Sequence, residues 1–227
     1  MPAATPESAP GPIHDGRPHL NPLFASSWDR LWAGLGARGS GSAARNDLLA
    51  RYSERWRRYH TLQHLTECLD CFAPASHLAA RAAEVEAALW FHDAIYDPRG
   101  ADNEERSALL AQSVLSAAGV AANAVSRVAA MVRATKHHDT PSEQDARLLI
   151  DVDLAILGSA PAHFADYEQQ IRAEYSFVPE AAFRQRRREI LASFLARPRI
   201  FGTEHFFVRL EGQARANLGQ AVRGGVA

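Results

Sequence analysis

Lysine is almost missing from this chain of 227 residues: Lys136 is the only one, and arginine carries the rest of the basic charge. That pattern reads as codon bias before chemistry. Cysteine is nearly missing too. Cys68 and Cys71 are the only two. They lie three apart in a helical pattern and make no disulfide framework, so the chain reads as intracellular and cytoplasmic. No apolar run approaches the ~20 residues that span a bilayer. No basic segment followed by an apolar one opens the chain, which argues against a signal peptide. The net charge is −1 at pH 7, so no bulk field draws the protein to duplex nucleic acid or to a membrane. Strand-like alternation is scarce, and no internal repeat is visible.

What the chain does have is apolar helical periodicity. Apolar residues make up 47% of it, enough for one substantial core. Residues 1–20, rich in Pro, Ala and Gly, are expected to form a mobile tail. A single all-α domain is expected over 21–222, with a loose stretch through Gly34, Gly36, Gly39 and Gly41. The spacing predicts helices near 24–34, 44–54, 61–73, 79–96, 103–118, 121–136, 141–157, 162–175, 180–196 and 205–221. Thr140-Pro141-Ser142-Glu143 reads as an N-cap, a first-turn proline and a capping-box glutamate. Gly158 reads as a stop, and Pro179 and Pro198 bracket another helix.

The chemistry starts at His92-Asp93. The doublet closes an uncharged run, Ala87-Ala88-Leu89-Trp90-Phe91, so both polar groups are carried inward. A buried carboxylate is costly unless it is paired or binds a metal. Val85, Ala88, Leu89, His92 and Tyr96 follow helical spacing, which puts His92 on a core-facing stripe. His60 and His64 are four apart and share one face if both are helical. His64 lies beside Leu65, Cys68, Leu69 and Phe72 and so points inward. The third element is Leu148-Leu149-Ile150-Asp151-Val152-Asp153-Leu154. Its two carboxylates face nearly opposite ways. Asp151 has Arg147 four residues back as an ordinary surface partner. Asp153 shares a face with Ile150, Leu154 and Leu157, where nothing polar meets it. Asp153 is the better ligand, and Asp151 stays open as the alternative. His64, His92, Asp93 and Asp153 thus form a candidate metal set on three helices, with nitrogen and carboxylate donors that suit Mn, Mg, Co, Ni, Zn or Fe, one or two per chain.

Other residues carry weaker signals. Glu104 and Glu105 follow the doublet closely, as base or phosphate-side groups or simply as first-turn acids. Lys136-His137-His138 suits a helix C-terminus. Arg187 falls toward the stripe of Phe183 and Ile190 and is a candidate phosphate contact. Cys68-x-x-Cys71 beside His64 offers zinc as an alternative, but both read first as small core residues.

The order His…His-Asp…Asp in an all-helical chain resembles the HD-domain superfamily of metal-dependent phosphohydrolases. Tyr59-His60-x-x-x-His64 resembles the Tyr-His-Asn-x-x-His element of the cyclic-nucleotide phosphodiesterases, with Thr61 in place of the asparagine. Over length the chain is most similar to a bacterial group described as predicted metal-dependent HD phosphohydrolases. The similarity runs through residues 59–64, 89–97, 102–108 and 151–158 and covers about 22–220. The Gly-Tyr-Pro element of the cyclic-di-nucleotide branch is missing. The resemblance implies His60 as general acid, His64 as ligand, and His137 or His138 as ligand to a second ion. It implies hydrolysis of a phosphomonoester or phosphodiester of a small, nucleotide-like substrate by metal-activated water, with no membrane and no duplex nucleic acid as partner, and a homodimer allowed. The alternatives it leaves are a mixed-valent di-iron oxygenase and a non-catalytic nucleotide sensor.

Overall fold

Ten α-helices and two short 3₁₀ segments make up the regular structure of a computed structural model that describes residues 21–136 and 141–224. The described residues contain no strand. The expected tail, residues 1–20, lies outside them. The helices are α1 (Pro22–Gly34), α2 (Ser42–Tyr52), α3 (Leu62–Ala75), α4 (Ala82–Phe91), α5 (Asn103–Ala117), α6 (Ala122–Ala134), α7 (Gln144–Asp153), α8 (Pro161–Glu174), α9 (Glu180–Leu195) and α10 (Glu204–Gly224). They close around one core, so the all-α, single-domain expectation holds. No single helix among the described residues is long and apolar enough to cross a membrane.

Helix α4 is the axis of the bundle. Every residue from Glu84 to Phe91 is buried, so no one-sided stripe exists there; a helix apolar all round belongs in an interior. It packs on α1, α3, α5, α6 and α7. On α1, Trp28 meets the edge of Trp90 at 5.1 Å and stacks on Trp32 at 5.0 Å. The two acids of α4 are matched. Glu86 accepts from Ser27 Oγ at 2.7 Å and pairs with Arg30. Glu84 takes both nitrogens of the Arg127 fork at 2.6 and 2.7 Å. Helices α3, α4 and α7 pack on one another pairwise, and these are the helices that carry the candidate ligands.

Two boundaries differ from expectation. The helix predicted over 79–96 ends at Phe91, with His92 as its C-cap. Tertiary partners take over the backbone beyond it. The buried Arg57 guanidinium donates to the carbonyls of Asp93 at 2.6 Å and Ala94 at 3.1 Å, and Ser107 Oγ accepts from Ile95 N–H at 2.9 Å. The helix predicted from 141 begins at Gln144, with Glu143 as N-cap, so Pro141 lies outside it rather than at its first position; Thr140 is outside the described residues. Its first turn is anchored elsewhere, Asp145 Oδ1 accepting from Ala80 N–H at 2.7 Å. Helix α7 then tightens to a 3₁₀ segment, Leu154–Gly158, that packs on α10. A Cβ on Gly158 would come within 2.6 Å of Leu210 Cβ, so only glycine allows that approach.

Candidate metal centre

Each candidate ligand is placed by a local feature. Thr61 caps α3, its hydroxyl accepting from Gln63 N–H at 3.3 Å. His64 therefore sits in the first turn of α3, 2% exposed. His92 ends α4, also 2% exposed, and its Nδ1 lies 2.8 Å from the Leu89 carbonyl. A carbonyl only accepts, so Nδ1 carries the proton and Nε2 of the neutral ring has a free lone pair. Such a carbonyl contact is how a ligating histidine is commonly oriented. Asp93 follows in the turn that Arg57 holds. Asp153 ends α7.

The four side chains converge. His64 Nε2 and His92 Nε2 are 3.1 Å apart. Asp93 Oδ2 lies 3.0 Å from His92 Nε2 and 3.5 Å from His64 Nε2. Asp153 Oδ1 lies 3.3 Å from His64 Nε2 and 3.5 Å from His92 Nε2. Donors about 2.1 Å from one cation, at angles of about 90–110°, stand roughly 3.0–3.4 Å apart. The observed separations match that sphere, so the residues fit a metal ion.

Cys68 belongs to the same neighbourhood: ligand atoms of His64, Cys68, His92 and Asp153 all lie within 4.8 Å of one another, a buried group that could hold a metal. Its Sγ, however, is 3.7 Å from His64 Nε2 and 3.8 Å from Nδ1. A sulfur ligand sharing a cation with Nε2 would stand much farther from Nδ1. The thiol flanks the imidazole, while Asp93 Oδ2 lies 3.0 and 3.5 Å from the two Nε2 atoms.

Burial disfavours charge on His64, His92 and Asp93. For His92 it is outweighed by Asp93 and Asp153, which hold the imidazole well above the ordinary histidine range. For Asp93 it is outweighed by the neighbouring imidazoles, His92 first, which hold the carboxyl well below the usual range. Protons on nitrogen balance the carboxylates here, and a bound cation would replace them.

Asp93 and Asp153 reach the wall of a cavity of about 610 Å³, which His60, Tyr59, Tyr96, Glu104, Lys136, Arg186, Arg187 and Arg197 also line. His60 lies outside α3, in the turn before its cap, so it does not share a helix face with His64; the rings still come within 5.8 Å. Glu104 is at the cavity as expected, while Glu105 is forked to Arg133 at the surface, at 2.6 and 2.8 Å. Arg187 lines the cavity but is not a free cation. Its guanidinium is buried against Glu168 and over the Tyr167 ring, so the expected phosphate contact is already neutralised. Asp151 is not a ligand and does not pair with Arg147. Buried on the opposite face of α7, it accepts from Gly202 N–H at 2.6 Å, Thr203 N–H at 2.7 Å and Thr203 Oγ1 at 2.5 Å, tying down the start of α10. His137 and His138 lie outside the described residues.

Sequence reasoning missed Glu174. Its side chain is fully buried. Oε1 accepts three successive backbone N–H groups, Arg58, Tyr59 and His60, at 2.8, 2.9 and 3.0 Å. Oε2 takes Tyr96 Oη–H at 2.8 Å and His60 Nδ1–H at 2.7 Å. Tyr96 also stacks on the His60 ring at 4.1 Å. Burial would raise the Glu174 carboxyl, but the adjoining His60 imidazole and these N–H groups win and bring it down to about 2. His60 is thereby fixed with Nδ1 occupied and Nε2 left to serve the cavity. The sequence did hold a signal: Tyr167, Ile171 and Glu174 follow helical spacing, so an acid falls on an apolar stripe.

No family model matches this chain, and neither a curated protein nor a solved structure does.

Proposed function

We propose that the chain is a metal-dependent phosphohydrolase of the HD type, acting on a phosphomonoester or phosphodiester of a small, nucleotide-like substrate. One observation carries the reading: His64 and His92 Nε2 lie 3.1 Å apart, Asp93 and Asp153 each place an oxygen 3.0–3.5 Å from both, and the two carboxylates reach the wall of a cavity. Two imidazoles favour a divalent transition metal over Mg²⁺, which prefers an all-oxygen shell. Held there, such a cation supplies an acidified water and positive charge toward phosphoryl oxygens.

The remaining work falls to the chain itself. Lys136 donates one N–H to the Ala101 carbonyl at 2.8 Å and has others to offer a phosphate. Arg186 lines the same wall, paired with Glu189 at 3.1 Å near the surface. Tyr59 Oη is buried with no hydrogen-bond partner among the described residues, a demand that a bound substrate would meet. Glu174 keeps the His60 imidazole in one tautomer and one orientation. When protonated, His60 passes the proton on Nε2 to the leaving oxygen.

The test joins elemental analysis of the purified protein with phosphate release over a panel of nucleotides and phosphomonoesters. One or two transition-metal ions per chain and metal-dependent release are expected. A chain that retains no metal, and releases no phosphate across Mn²⁺, Co²⁺, Ni²⁺, Zn²⁺ and Mg²⁺, would sink the proposal.

A further inference from the structure

A second cavity, of about 590 Å³, lies on the far side of the Tyr96–Glu174 wall. Tyr96 lines both cavities. The floor of the second is Ala94–Pro98, the segment that leaves the candidate ligand Asp93. Its walls hold a set of cations. Arg58, Arg99 and Arg106 line it, and none of the three guanidiniums has a carboxylate in ion-pair range among the described residues. Arg51 lines it as well but is satisfied by Asp47 at 2.8 Å.

The acids of this cavity are already engaged. Glu54 pairs with Arg57 at 3.0 Å. Asp97 Oδ1 accepts the Arg99 backbone N–H at 2.9 Å, and the carboxylate keeps its charge. Glu174 is spent on His60, Tyr96 and three backbone groups. Among the groups without an ion-pair partner on these walls, three arginines therefore stand against the single carboxylate of Asp97, and the balance is positive. Two aromatic residues sit on the same walls. Trp56 is 56% exposed and Phe177 42%, two of the few large apolar side chains left to solvent. Arg99 lies over the Phe177 ring at 4.4 Å. Guanidinium forks recognise phosphate oxygens, and an exposed indole offers a planar base a stacking face.

We propose that this cavity is a binding site for a phosphorylated ligand with a planar ring, a nucleoside diphosphate in chemical class, separate from the candidate metal centre. Binding there requires neither metal nor turnover. The ligand would rest on the back of the Asp93 loop and on Arg58, whose N–H holds Glu174, so it is placed to act as an effector of the neighbouring centre.

The probe is ADP, titrated onto the full-length protein before and after EDTA treatment, with tryptophan fluorescence as the signal and calorimetry beside it. Trp28, Trp32 and Trp90 are buried and Trp56 is the fourth and last tryptophan, so a quench reports this cavity. A saturable quench that survives EDTA is expected. It should weaken at least tenfold in the Arg99→Ser/Arg106→Ser double variant, whose exposed positions leave the core intact, and vanish in Trp56→Phe while calorimetric binding remains. Adenosine should bind at least tenfold more weakly than ADP, and pyrophosphate should bind more weakly than ADP. Absence of saturable binding by both methods would overturn the assignment, as would binding that EDTA abolishes and the arginine substitutions leave unchanged. A phosphohydrolase assay that fails while ADP binding persists removes the proposed activity and leaves this site standing.

Discussion

Asp151 and Asp153 are two residues apart on one helix and end in opposite circumstances. Asp151 points to the α10 side, where two N–H groups and one hydroxyl meet its oxygens. The fold supplies partners to those oxygens by itself, although burial still pushes the carboxyl above its usual range. Asp153 points to the other side, where it meets two imidazole nitrogens at 3.3 and 3.5 Å and the edge of a cavity. Its partners are themselves metal donors. Burial alone therefore does not mark a functional acid; the nature of what faces it does. Glu174 belongs with Asp151 in being met by backbone N–H groups, but it spends its second oxygen on His60 and so serves both ends.

The largest effect expected from breaking this contrast is on metal content. His92→Ala or Asp153→Ala removes a donor that nothing else replaces. Each should lower metal affinity and turnover by more than the roughly 10–100-fold that outer-shell substitutions cost. Asp151→Ala should leave metal content at the wild-type level. Elemental analysis of the variants separates the two faces of α7, and loss of metal from Asp151→Ala would erase the distinction.

Next in size is the pH dependence of stability that Glu174 confers. Its carboxyl falls from the usual 4.5 to about 2 in the folded chain. A lowered folded value stabilises fully above the unfolded value and loses that contribution as pH falls toward the folded one. The window is therefore pH 4.5 down to about 2, and the amount is about 3 kcal/mol. Urea unfolding of the wild type and Glu174→Gln should differ most above pH 5, and the gap should close on acidification. A gap constant with pH would show that the carboxylate charge is not what holds the His60 turn.

Asp151→Ala should then cost about 2 kcal/mol, because the N–H groups of Gly202 and Thr203 lose their acceptor at the start of α10. Denaturant melts would read the loss. Unchanged stability would mean that water takes over both donors.

How much of this was legible follows from how local each signal is. Most of the ten helices could be read because apolar spacing repeats within them, and α4, buried all round, from its unbroken uncharged run. His64, His92, Asp93 and Asp153 could be read because each interrupts an apolar face, a local anomaly. The end of α4 could not, since the partners that hold Asp93 to Ile95 come from Arg57 and Ser107. Arg187 was read correctly as inward, but its partner Glu168 lies on another helix and cancels the charge. Glu174 meets Arg58–His60 across more than a hundred residues, and only its place on the α8 stripe hinted at burial. The Asp151 hydrogen bonds reach to a turn about fifty residues on, so sequence spacing offered Arg147 instead.

The smallest effect should come from Cys68. Its sulfur lies nearly as close to His64 Nδ1 as to Nε2, beside the ring rather than around a cation shared with it. Cys68→Ala removes a buried sulfur and a weak contact, which should cost on the order of 1 kcal/mol. Metal content should not change, because the nitrogen and carboxylate donors of His64, His92, Asp93 and Asp153 remain. Substituting Co²⁺ sharpens the point: thiolate coordination gives an intense near-ultraviolet charge-transfer band, and the wild type should lack it. A band that is present in the wild type and disappears in Cys68→Ala would move the fourth ligand from Asp93 to the thiol, and with it the preference among metals toward zinc.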